Sequence, residues 1–464
     1  MAENPFEYLQ RVLTTYGRKA AIREGSNDKS YYDLFEEVEQ IASWLDSLEG
    51  ATLAVVVDDS ATLCRIVLAA FFSQKVILPL NSRESDSYLV SHIDRLRLAT
   101  VITDKAGRFD HKQGAKEVVF QYEAIRTAEQ RDVTAHETRG ADPERPALGI
   151  MTSGSTGTPK VVLHSWRSIF YSALGSILYY GYSDSDASLL TLPLYHVSGV
   201  LMLVRCILSG GTLHIMQGKL GESVERARPT ILSLVPTQLV ALLQDKSARE
   251  VLAKGKVILI GGASVPETLW ETCRTSDLPL SLSYGMTESA AQVTGTVPGT
   301  WNSYRHYGKP LPYREVRVSE GRILVGGLCL FSGLLDRPSD LCDGWFMTQD
   351  RGCFEDGNLV VLGRADNVFI SGGENISPWE VESAVERALG PAASVLCFPE
   401  ADPYWGVTPS VIVVSRDEPD WTKLRTRLGE SLSGLKKPKK YYWLDEWSEK
   451  LTPQASKGAK VFLG

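Results

Sequence analysis

A hydroxyl- and glycine-rich segment that ends in a lysine directly follows an apolar run, and this pattern suits phosphate binding. The apolar run is Ala147–Ile150, and the segment 151–160 that follows it reads MTSGSTGTPK. Glycines let the backbone approach an anion closely, and successive N–H groups can form a concave nest around phosphate oxygens. The hydroxyl side chains add donors, and the lysine adds a positive charge. The candidate phosphate ligands are Thr152, Ser153, Gly154, Ser155, Thr156, Gly157 and Lys160.

An ordinary surface loop or a P-loop fits this segment less well. Ser/Gly-rich surface loops are common, but here Pro159 and Lys160 close the run beside an apolar strand. A P-loop requires G-x-x-x-x-G-K-[ST], whereas Gly154 and Gly157 are three residues apart and a proline precedes the lysine. The chain also lacks the H-R-D and D-F-G sets of protein kinases.

The elements that must position this loop alternate between strands and helices. The patterns predict helices at Ser30–Leu48, Ala61–Phe72, Ser87–Leu96, Thr237–Gln244 and Glu267–Thr275, and strands at Thr52–Val57, Val76–Leu80, Thr100–Thr103, Thr230–Val235 and Val257–Ile260. Uninterrupted Val/Ile/Leu strands between helices indicate a parallel sheet that is covered on both faces.

The pattern changes beyond about Gly308. The short patterns there predict antiparallel strands at Val316–Val318, Arg322–Val325 and Asn358–Leu362, followed by helices at Pro378–Leu389 and Trp421–Ser433 and strands at Ala393–Phe398 and Ser410–Val414. We therefore predict an α/β fold with a large N-terminal α/β region of mostly parallel sheets and a small β subdomain (residues 1–363). A hinge (364–366) and a small mobile α+β C-terminal domain (367–464) complete the prediction.

Composition excludes several other classes of protein. The 464 residues are 43% hydrophobic, the formal net charge is −7, and the seven cysteines form no C-x-x-C pair. A mildly acidic chain lacks the basic surface of a nucleic-acid binder, and unpaired cysteine spacing predicts neither a zinc site nor a disulfide framework. No secretory signal or membrane span is evident. We expect a cytoplasmic protein that binds small molecules; its oligomeric state is left open, with a homodimer as one candidate.

Six motifs, in the expected order, resemble those of the adenylate-forming enzymes, which include acyl-CoA synthetases, luciferases and peptide-synthetase adenylation domains. They are the phosphate loop Thr152–Lys160, the segment 193–199 (PLYHVSG), the turn Gly261–Ala263, the segment Tyr284–Glu288, a two-part motif made of the segments 344–350 and 363–364, and the segment 371–375 (SGGEN). The resemblance implies an acid–CoA ligase that uses ATP, Mg²⁺ and CoA. Such an enzyme converts a carboxylate and ATP into acyl-AMP and pyrophosphate, and then forms the thioester.

The resemblance also implies a role for individual residues. It assigns the adenine and phosphate contacts to Gly261, Gly262, Ala263, Tyr284, Gly285 and Thr287, the metal to Glu288, the ribose to Asp350 and Arg364, the acid to His196 and Ser198, the hinge to Asp366, and CoA to Gly372 and Gly373. Lys160 and His196 join a C-terminal lysine as catalytic candidates. The chain ends LTPQASKGAKVFLG, and neither Lys457 nor Lys460 has the family's usual spacing. Lys460 resembles family variants with one residue between glycine and lysine, so it is the preferred candidate.

The acid is suggested by one charged residue in an apolar run. Arg205 lies in the segment 200–208 (VLMLVRCIL), where an unpaired charge would be costly. Its partner is either an internal carboxylate or a second carboxylate of the substrate, unless the side chain is on an exposed helix face. The short chain, the PLYHVSG segment and this arginine resemble the o-succinylbenzoyl-CoA synthetases of menaquinone biosynthesis. Other aryl- or fatty-acyl-CoA synthetases, an acyl-AMP ligase that loads a carrier protein, and a non-catalytic nucleotide-binding relative remain as alternatives.

Overall fold

The computed structural model describes residues 4–109, 115–128, 142–152, 159–263, 265–364, 369–371, 374–390, 393–402, 406–432, 434–445 and 460–463. The α-helices of these ranges are α1 (Pro5–Tyr16), α2 (Tyr31–Ser47), α3 (Ser60–Ala70), α4 (Asp86–Arg95), α5 (Tyr122–Ala128), α6 (Trp166–Tyr180), α7 (Val197–Leu208), α8 (Leu220–Ala227), α9 (Pro236–Gln244), α10 (Lys246–Leu252), α11 (Glu267–Thr275), α12 (Pro378–Leu389) and α13 (Trp421–Ser431).

The first sheet has a parallel centre and an antiparallel edge. Its strands are β3 (Thr52–Val56), β4 (Val76–Pro79), β5 (Thr100–Thr103), β6 (Lys116–Val119), β7 (Pro146–Thr152), β8 (Lys160–Ser165) and β18 (Gly333–Leu334), in the order β18-β8-β7-β4-β3-β5-β6. Strands β3 to β7 are parallel, whereas β8 pairs antiparallel with both β7 and β18. The central strands are short apolar runs because helices cover both faces of a parallel sheet.

The second sheet repeats this plan over a greater width. Its strands are β1 (Ala20–Glu24), β2 (Asn27–Ser30), β9 (Ala187–Leu190), β10 (Thr212–Ile215), β11 (Ile231–Leu234), β12 (Val257–Ile260), β13 (Leu280–Met286), β14 (Ala291–Gly295) and β15 (Lys309–Pro310), in the order β15-β14-β13-β12-β11-β9-β10-β1-β2. Strands β1 and β9 to β13 are parallel, and the edge strands β2, β14 and β15 are antiparallel. Strand β12 ends opposite Leu282, so the turn after it lies beside the last residues of β13.

Helices α6 and α7 join the two sheets. Every residue of α7 except Ser198 is buried, and most residues of α6 are buried as well. One continuous core holds side chains of both helices together with Leu148 of β7, Leu190 of β9 and Leu213 of β10. A helix that is apolar on all sides must be covered on all sides, so these two helices lie between the sheets.

The remaining strands form smaller sheets. The strands are β16 (Arg314–Ser319), β17 (Arg322–Gly327), β19 (Leu341–Cys342), β20 (Trp345–Glu355), β21 (Asn358–Arg364), β22 (Phe369–Ser371), β23 (Glu374–Ile376), β24 (Ser394–Asp402), β25 (Gly406–Val414), β26 (Lys440–Leu444) and β27 (Lys460–Leu463). An antiparallel sheet contains β16, β17, β19, β20 and β21. Strands β22 and β23 form a ribbon, and β24 to β27 form a sheet against which α12 and α13 pack.

The predicted α/β fold is confirmed, with its mostly parallel sheets, its antiparallel β subdomain and a C-terminal unit of strands and helices. The domain limits and the hinge stay predictions. Among the helices in the described ranges, none combines the length and the apolarity needed to cross a lipid bilayer.

The seven thiols differ sharply in their surroundings. All seven cysteines are free, and five of them are buried. Burial raises the pKa of the Cys206 and Cys273 thiols to about 12. Cys342, in β19, is exposed, and it pairs across the sheet with Trp345 of β20.

Candidate active site

Strand β8 presents two side chains of the candidate site on one face. Lys160 and His164 are four residues apart in a strand, so their side chains project to the same side. Lys160 Nζ forms an ion pair with Glu288 Oε1, and the two side chains are 15% and 13% exposed. Nζ also lies 5.7 Å from the ring centroid of Phe346. The structure thus brings together the predicted phosphate lysine and the predicted metal ligand, a pairing that the motifs alone did not indicate.

His164 is a site residue that the sequence motifs missed. Its Nε2 lies 2.8 Å from the carbonyl oxygen of Thr287, so Nε2 carries the proton and donates it to that oxygen. Burial lowers the pKa of His164 to about 4, and the ring is neutral at physiological pH. His164 therefore fixes the backbone next to Glu288. The only available signal was a polar residue at an inward position of an apolar strand.

The base of the phosphate loop contains an unsatisfied hydroxyl. Thr152 pairs with Lys160 across the β7–β8 ladder, so both residues flank the loop between the strands. Thr152 Oγ1 is buried, and no protein group in the described structure bonds to it. Buried polar atoms are nearly always hydrogen-bonded, and such an orphan beside a cationic side chain suits an oxygen-rich ligand. The other predicted loop ligands, residues 153–157, lie outside the described residues.

The segment after β13 approaches its own chain very closely. A Cβ atom at Gly285 would lie 2.0 Å from the carbonyl oxygen of Ala291, so only glycine fits there. A short 3₁₀ turn covers Thr287–Ser289 and ends at Ala290. This tight path keeps Thr287 in contact with His164 and Glu288 in contact with Lys160.

The predicted ribose residues lie opposite each other. Asp350 of β20 pairs with Arg364 of β21 in the antiparallel ladder. The Tyr284 hydroxyl donates to Asp350 Oδ2 over 2.7 Å, and burial, together with the nearby carboxylate, raises the pKa of Tyr284. Thr348 Oγ1 accepts from the Asp350 amide over 3.0 Å. A phenol and a carboxylate thus meet at one edge of the site, and Arg364 lies opposite the carboxylate in the ladder.

The predicted adenine turn begins where β12 ends. Gly262 has a φ of +79°, a left-handed conformation that favours glycine. A Cβ at Gly261 would lie 3.0 Å from the carbonyl oxygen of Ser283, so this turn packs against the strand that carries Tyr284. Gly262 and Ala263 are exposed, which leaves their backbone accessible to a ligand.

Helix α7 carries the predicted acid-binding residues. His196 is its N-cap, and the ring is exposed, although desolvation by the surrounding protein lowers its pKa. Ser198 and Arg205 are seven residues apart, so they lie on one side of the helix about 10 Å apart along its axis. Ser198 is half-buried.

Arg205 is only 5% exposed, so it does not lie on an exposed helix face. Its Nε donates to the Leu201 carbonyl oxygen over 2.9 Å, and its charge acts on the hydroxyl of Tyr182. No aspartate or glutamate of the described chain pairs with it. The interpretation in which an internal carboxylate neutralises Arg205 therefore finds no support.

The structure describes only part of the remaining predicted residues. Lys460 begins β27 and pairs with Trp443, but its side chain is outside the described set. Asp366, Gly372, Gly373 and Lys457 lie outside the described residues. Within the described residues, no group of three or more His, Cys, Asp or Glu side chains is placed to hold a metal ion.

Comparisons with known proteins identify the family of the chain. A family model described as "AMP-binding enzyme" matches residues 9–335. A 2-succinylbenzoate–CoA ligase of Bacillus licheniformis is 30% identical over 96% of this chain and 97% of its own length.

Solved structures give the same result. The o-succinylbenzoate CoA synthetase of Bacillus subtilis in complex with the acyl-adenylate intermediate OSB-AMP has a TM-score of 0.83 at 26% identity, covering 97% of this chain and 96% of that one. The same enzyme with ATP and a magnesium ion has a TM-score of 0.82 at 25% identity, covering 95% and 96%.

The chain therefore belongs to the AMP-binding enzyme family. Within that family it is an adenylate-forming acid–CoA ligase, which confirms the prediction made from the motifs.

Proposed function

We propose that the protein is an ATP-dependent 2-succinylbenzoate–CoA ligase of menaquinone biosynthesis. In the first step a carboxylate oxygen of the acid attacks the α-phosphorus of ATP, and the bond to pyrophosphate breaks. In the second step the CoA sulfur, after losing its proton, attacks the acyl carbon, and AMP leaves. Support comes from the full-length similarity to ligases of this name and from the arrangement of the site.

Lys160 and the loop before it are proposed to bind the triphosphate. The first step moves negative charge from the α-phosphorus onto pyrophosphate, and a preorganised cation in a water-poor site stabilises that charge. Lys160 is only 15% exposed and is held in place by Glu288. The unsatisfied Thr152 hydroxyl adds a donor at the same point. When ATP binds, its phosphates compete with Glu288 for the lysine.

Glu288 fits a magnesium ion that is bound mainly through phosphates. Mg²⁺ usually keeps several waters and takes one or two carboxylates, so a site with a single carboxylate suits the bound nucleotide better than the free protein. When bound, the ion would neutralise phosphate charge, and Glu288 would hold it.

Asp350, Arg364 and Tyr284 are proposed to orient the nucleoside. The Asp350 carboxylate can accept hydrogen bonds from both ribose hydroxyls, and Arg364 can donate to them. The Tyr284–Asp350 hydrogen bond fixes the carboxylate before the ligand arrives. The exposed backbone at Gly262 and Ala263 is left for the adenine.

The observation that carries the choice of acid is the buried Arg205. Arg205 contacts one backbone oxygen and a tyrosine hydroxyl, so its buried charge is not neutralised, and a substrate carboxylate with bidentate geometry would neutralise it. Ser198 and Arg205 share one side of α7, so one group of an acid can lie near the start of the helix and another near Arg205. An acid with two carboxylates matches this arrangement, and a fatty acid does not.

The second step is proposed to use the C-terminal region. Lys460 is assigned to adenylation, Asp366 within the hinge 364–366 to domain rotation, and Gly372 and Gly373 to the CoA pantetheine. Residues 1–363 and 367–464 are proposed to be the two domains. Adenylation needs a lysine beside the carboxylate and the α-phosphate, whereas thioester formation needs the CoA thiol to reach the acyl carbon in the same space. One static arrangement of the C-terminal region would not serve both steps.

A pyrophosphate-release assay with ATP and a panel of acids tests the proposed function. We expect 2-succinylbenzoate to outperform benzoate, fatty acids and other dicarboxylates, and CoA to convert the adenylate into the thioester. Lys160→Ala provides the inactive control. A better fatty-acid rate would refute the choice of acid, and transfer only to a carrier protein would refute CoA as acceptor. If none of the acids in the panel supports pyrophosphate release, the proposed ligase function is refuted.

A further inference from the structure

The turn that follows Glu288 is strained. Ala290 and Ala291 have φ values of +50° and +74°, and both are in the left-handed region that alanine rarely occupies. Ala290 is completely buried. Strained backbone persists only where the surrounding structure over-determines it, and it concentrates at functional sites.

The carbonyl groups of this turn are held by other elements. Thr287 O accepts from His164 Nε2, and Glu288 O accepts from the Phe331 amide over 2.9 Å. Further along, Ala290 O accepts from Ser172 Oγ over 2.5 Å. Gln292 O, just after the strained pair, accepts from Arg314 Nε over 2.6 Å. The first two contacts hold the start of the turn, and the last two hold its end.

Arg314 is buried and is satisfied by neutral oxygens. It is 6% exposed, and its Nη2 donates to both Ser172 O and Ser172 Oγ over 2.8 Å. Its Nη1 donates to Pro312 O over 2.9 Å. Among the described residues no carboxylate pairs with this guanidinium. Arg314 thus ties α6 directly to the first strand after the turn.

Helix α6 has a glycine where the Arg314 side chain packs against it. Gly175 is in the middle of the helix, where glycine costs stability relative to alanine. A Cβ atom there would lie 2.2 Å from Arg314 Nη1 and 2.4 Å from Pro312 O. The glycine leaves room for the guanidinium and for the chain that carries it.

We propose that Arg314 and Ser172 are positioning residues that hold the strained Ala290–Ala291 turn. The held turn fixes the position of Glu288 for binding the magnesium–nucleotide complex. This inference rests on the proposed function, because it assigns the metal role to Glu288. Arg314 touches neither the nucleotide nor the acid; it acts through the backbone of the turn. Loss of the clamp therefore weakens the magnesium-dependent part of ATP binding.

Calorimetric titration of ATP, with and without Mg²⁺, measures this effect directly on the full chain. We expect Arg314→Lys to weaken MgATP binding at least tenfold, because lysine keeps the charge but cannot reach all of these oxygens at once. Ser172→Ala should weaken MgATP binding three- to tenfold. This second variant retains Arg314, so it tests the clamp even if Arg314→Lys folds poorly. Both variants should bind metal-free ATP within twofold of the wild type. Arg317→Lys, an exposed arginine of the same strand, is the matched control and should change neither affinity.

A rescue variant separates positioning from general destabilisation. Ala291→Gly accepts the positive φ without strain, so adding it to Arg314→Lys should recover most of the lost MgATP affinity. Equal losses with and without Mg²⁺, or no rescue by glycine, would overturn the inference. A wild-type protein that binds MgATP but releases no pyrophosphate would contradict the proposed function and leave this binding test valid.

Discussion

The sharpest test of the proposed acid is replacement of Arg205 by leucine. Because no described carboxylate of the protein pairs with Arg205, the substitution strands no internal counter-ion. The protein itself loses the hydrogen bond to Leu201 O and the electrostatic contact with Tyr182. The main cost then falls on the second carboxylate of the substrate. Removing one partner of a buried charge pair typically costs about 2–5 kcal/mol, which is roughly thirty- to several-thousand-fold in affinity.

The assay compares two acids in the same variant. In Arg205→Leu, kcat/KM for pyrophosphate release should fall by this factor with 2-succinylbenzoate and by less than about threefold with benzoate, which lacks the second carboxylate. Arg205→Lys retains the charge but not the guanidinium fork, and it should fall between the wild type and the leucine variant. Tyr182→Phe controls for disturbance of the neighbouring hydroxyl. Equal losses with both acids would refute a direct contact between Arg205 and the substrate.

Three further predictions follow from the site and from the tail. Lys160→Ala should lower pyrophosphate release by at least a hundredfold with a melting temperature close to that of the wild type, and a near-normal rate would remove Lys160 from phosphate binding. Lys460→Ala should abolish adenylate formation but still convert supplied acyl-AMP and CoA to the thioester, whereas Asp366→Pro should do the reverse; an adenylation defect only in Lys457→Ala would move the assignment to that residue. In the folded protein His164 is neutral, with a pKa of about 4, whereas a histidine in the unfolded chain titrates near about 6.5. Because the unfolded chain takes up this proton at higher pH, the free energy of unfolding should fall by about 3 kcal/mol as the pH drops from about 6.5 to 4. Denaturant titrations should show a weaker pH dependence in His164→Gln; an unchanged one would assign the loss to other groups.

The fold was largely predictable from local pattern, most accurately where an element is short and has clear ends. The predicted Thr100–Thr103, Val257–Ile260 and Pro378–Leu389 agree with β5, β12 and α12 residue for residue. Buried parallel strands are continuous apolar runs, and Pro378 at the first turn and Gly390 after the last mark the ends of α12. Strand β25, predicted to start at Ser410, begins at Gly406, because hairpin pairing with β24 extends the ladder beyond the apolar residues.

The candidate site was predictable as a set of motifs but not as a set of contacts. The glycines, Tyr284, Asp350 and Arg364 have local patterns, so the sequence could place them in one site. The Lys160–Glu288 ion pair joins residues 128 positions apart, and the sequence gives no sign that each neutralises the other. His164 and Arg314 belong to no motif, and each is identified only by the carbonyl groups that it contacts in the folded chain.

The uneven distribution of the thiols has a practical consequence. Maleimides react with the thiolate, so buried groups with raised pKa values react slowly, and the exposed Cys342 should be modified first. A fluorophore attached there would be opposite Trp345, close enough for the indole to act as its quencher or energy donor. The wild-type chain therefore already carries an attachment site for an optical probe on the β subdomain, next to the strand that contains Asp350, and no new cysteine has to be introduced.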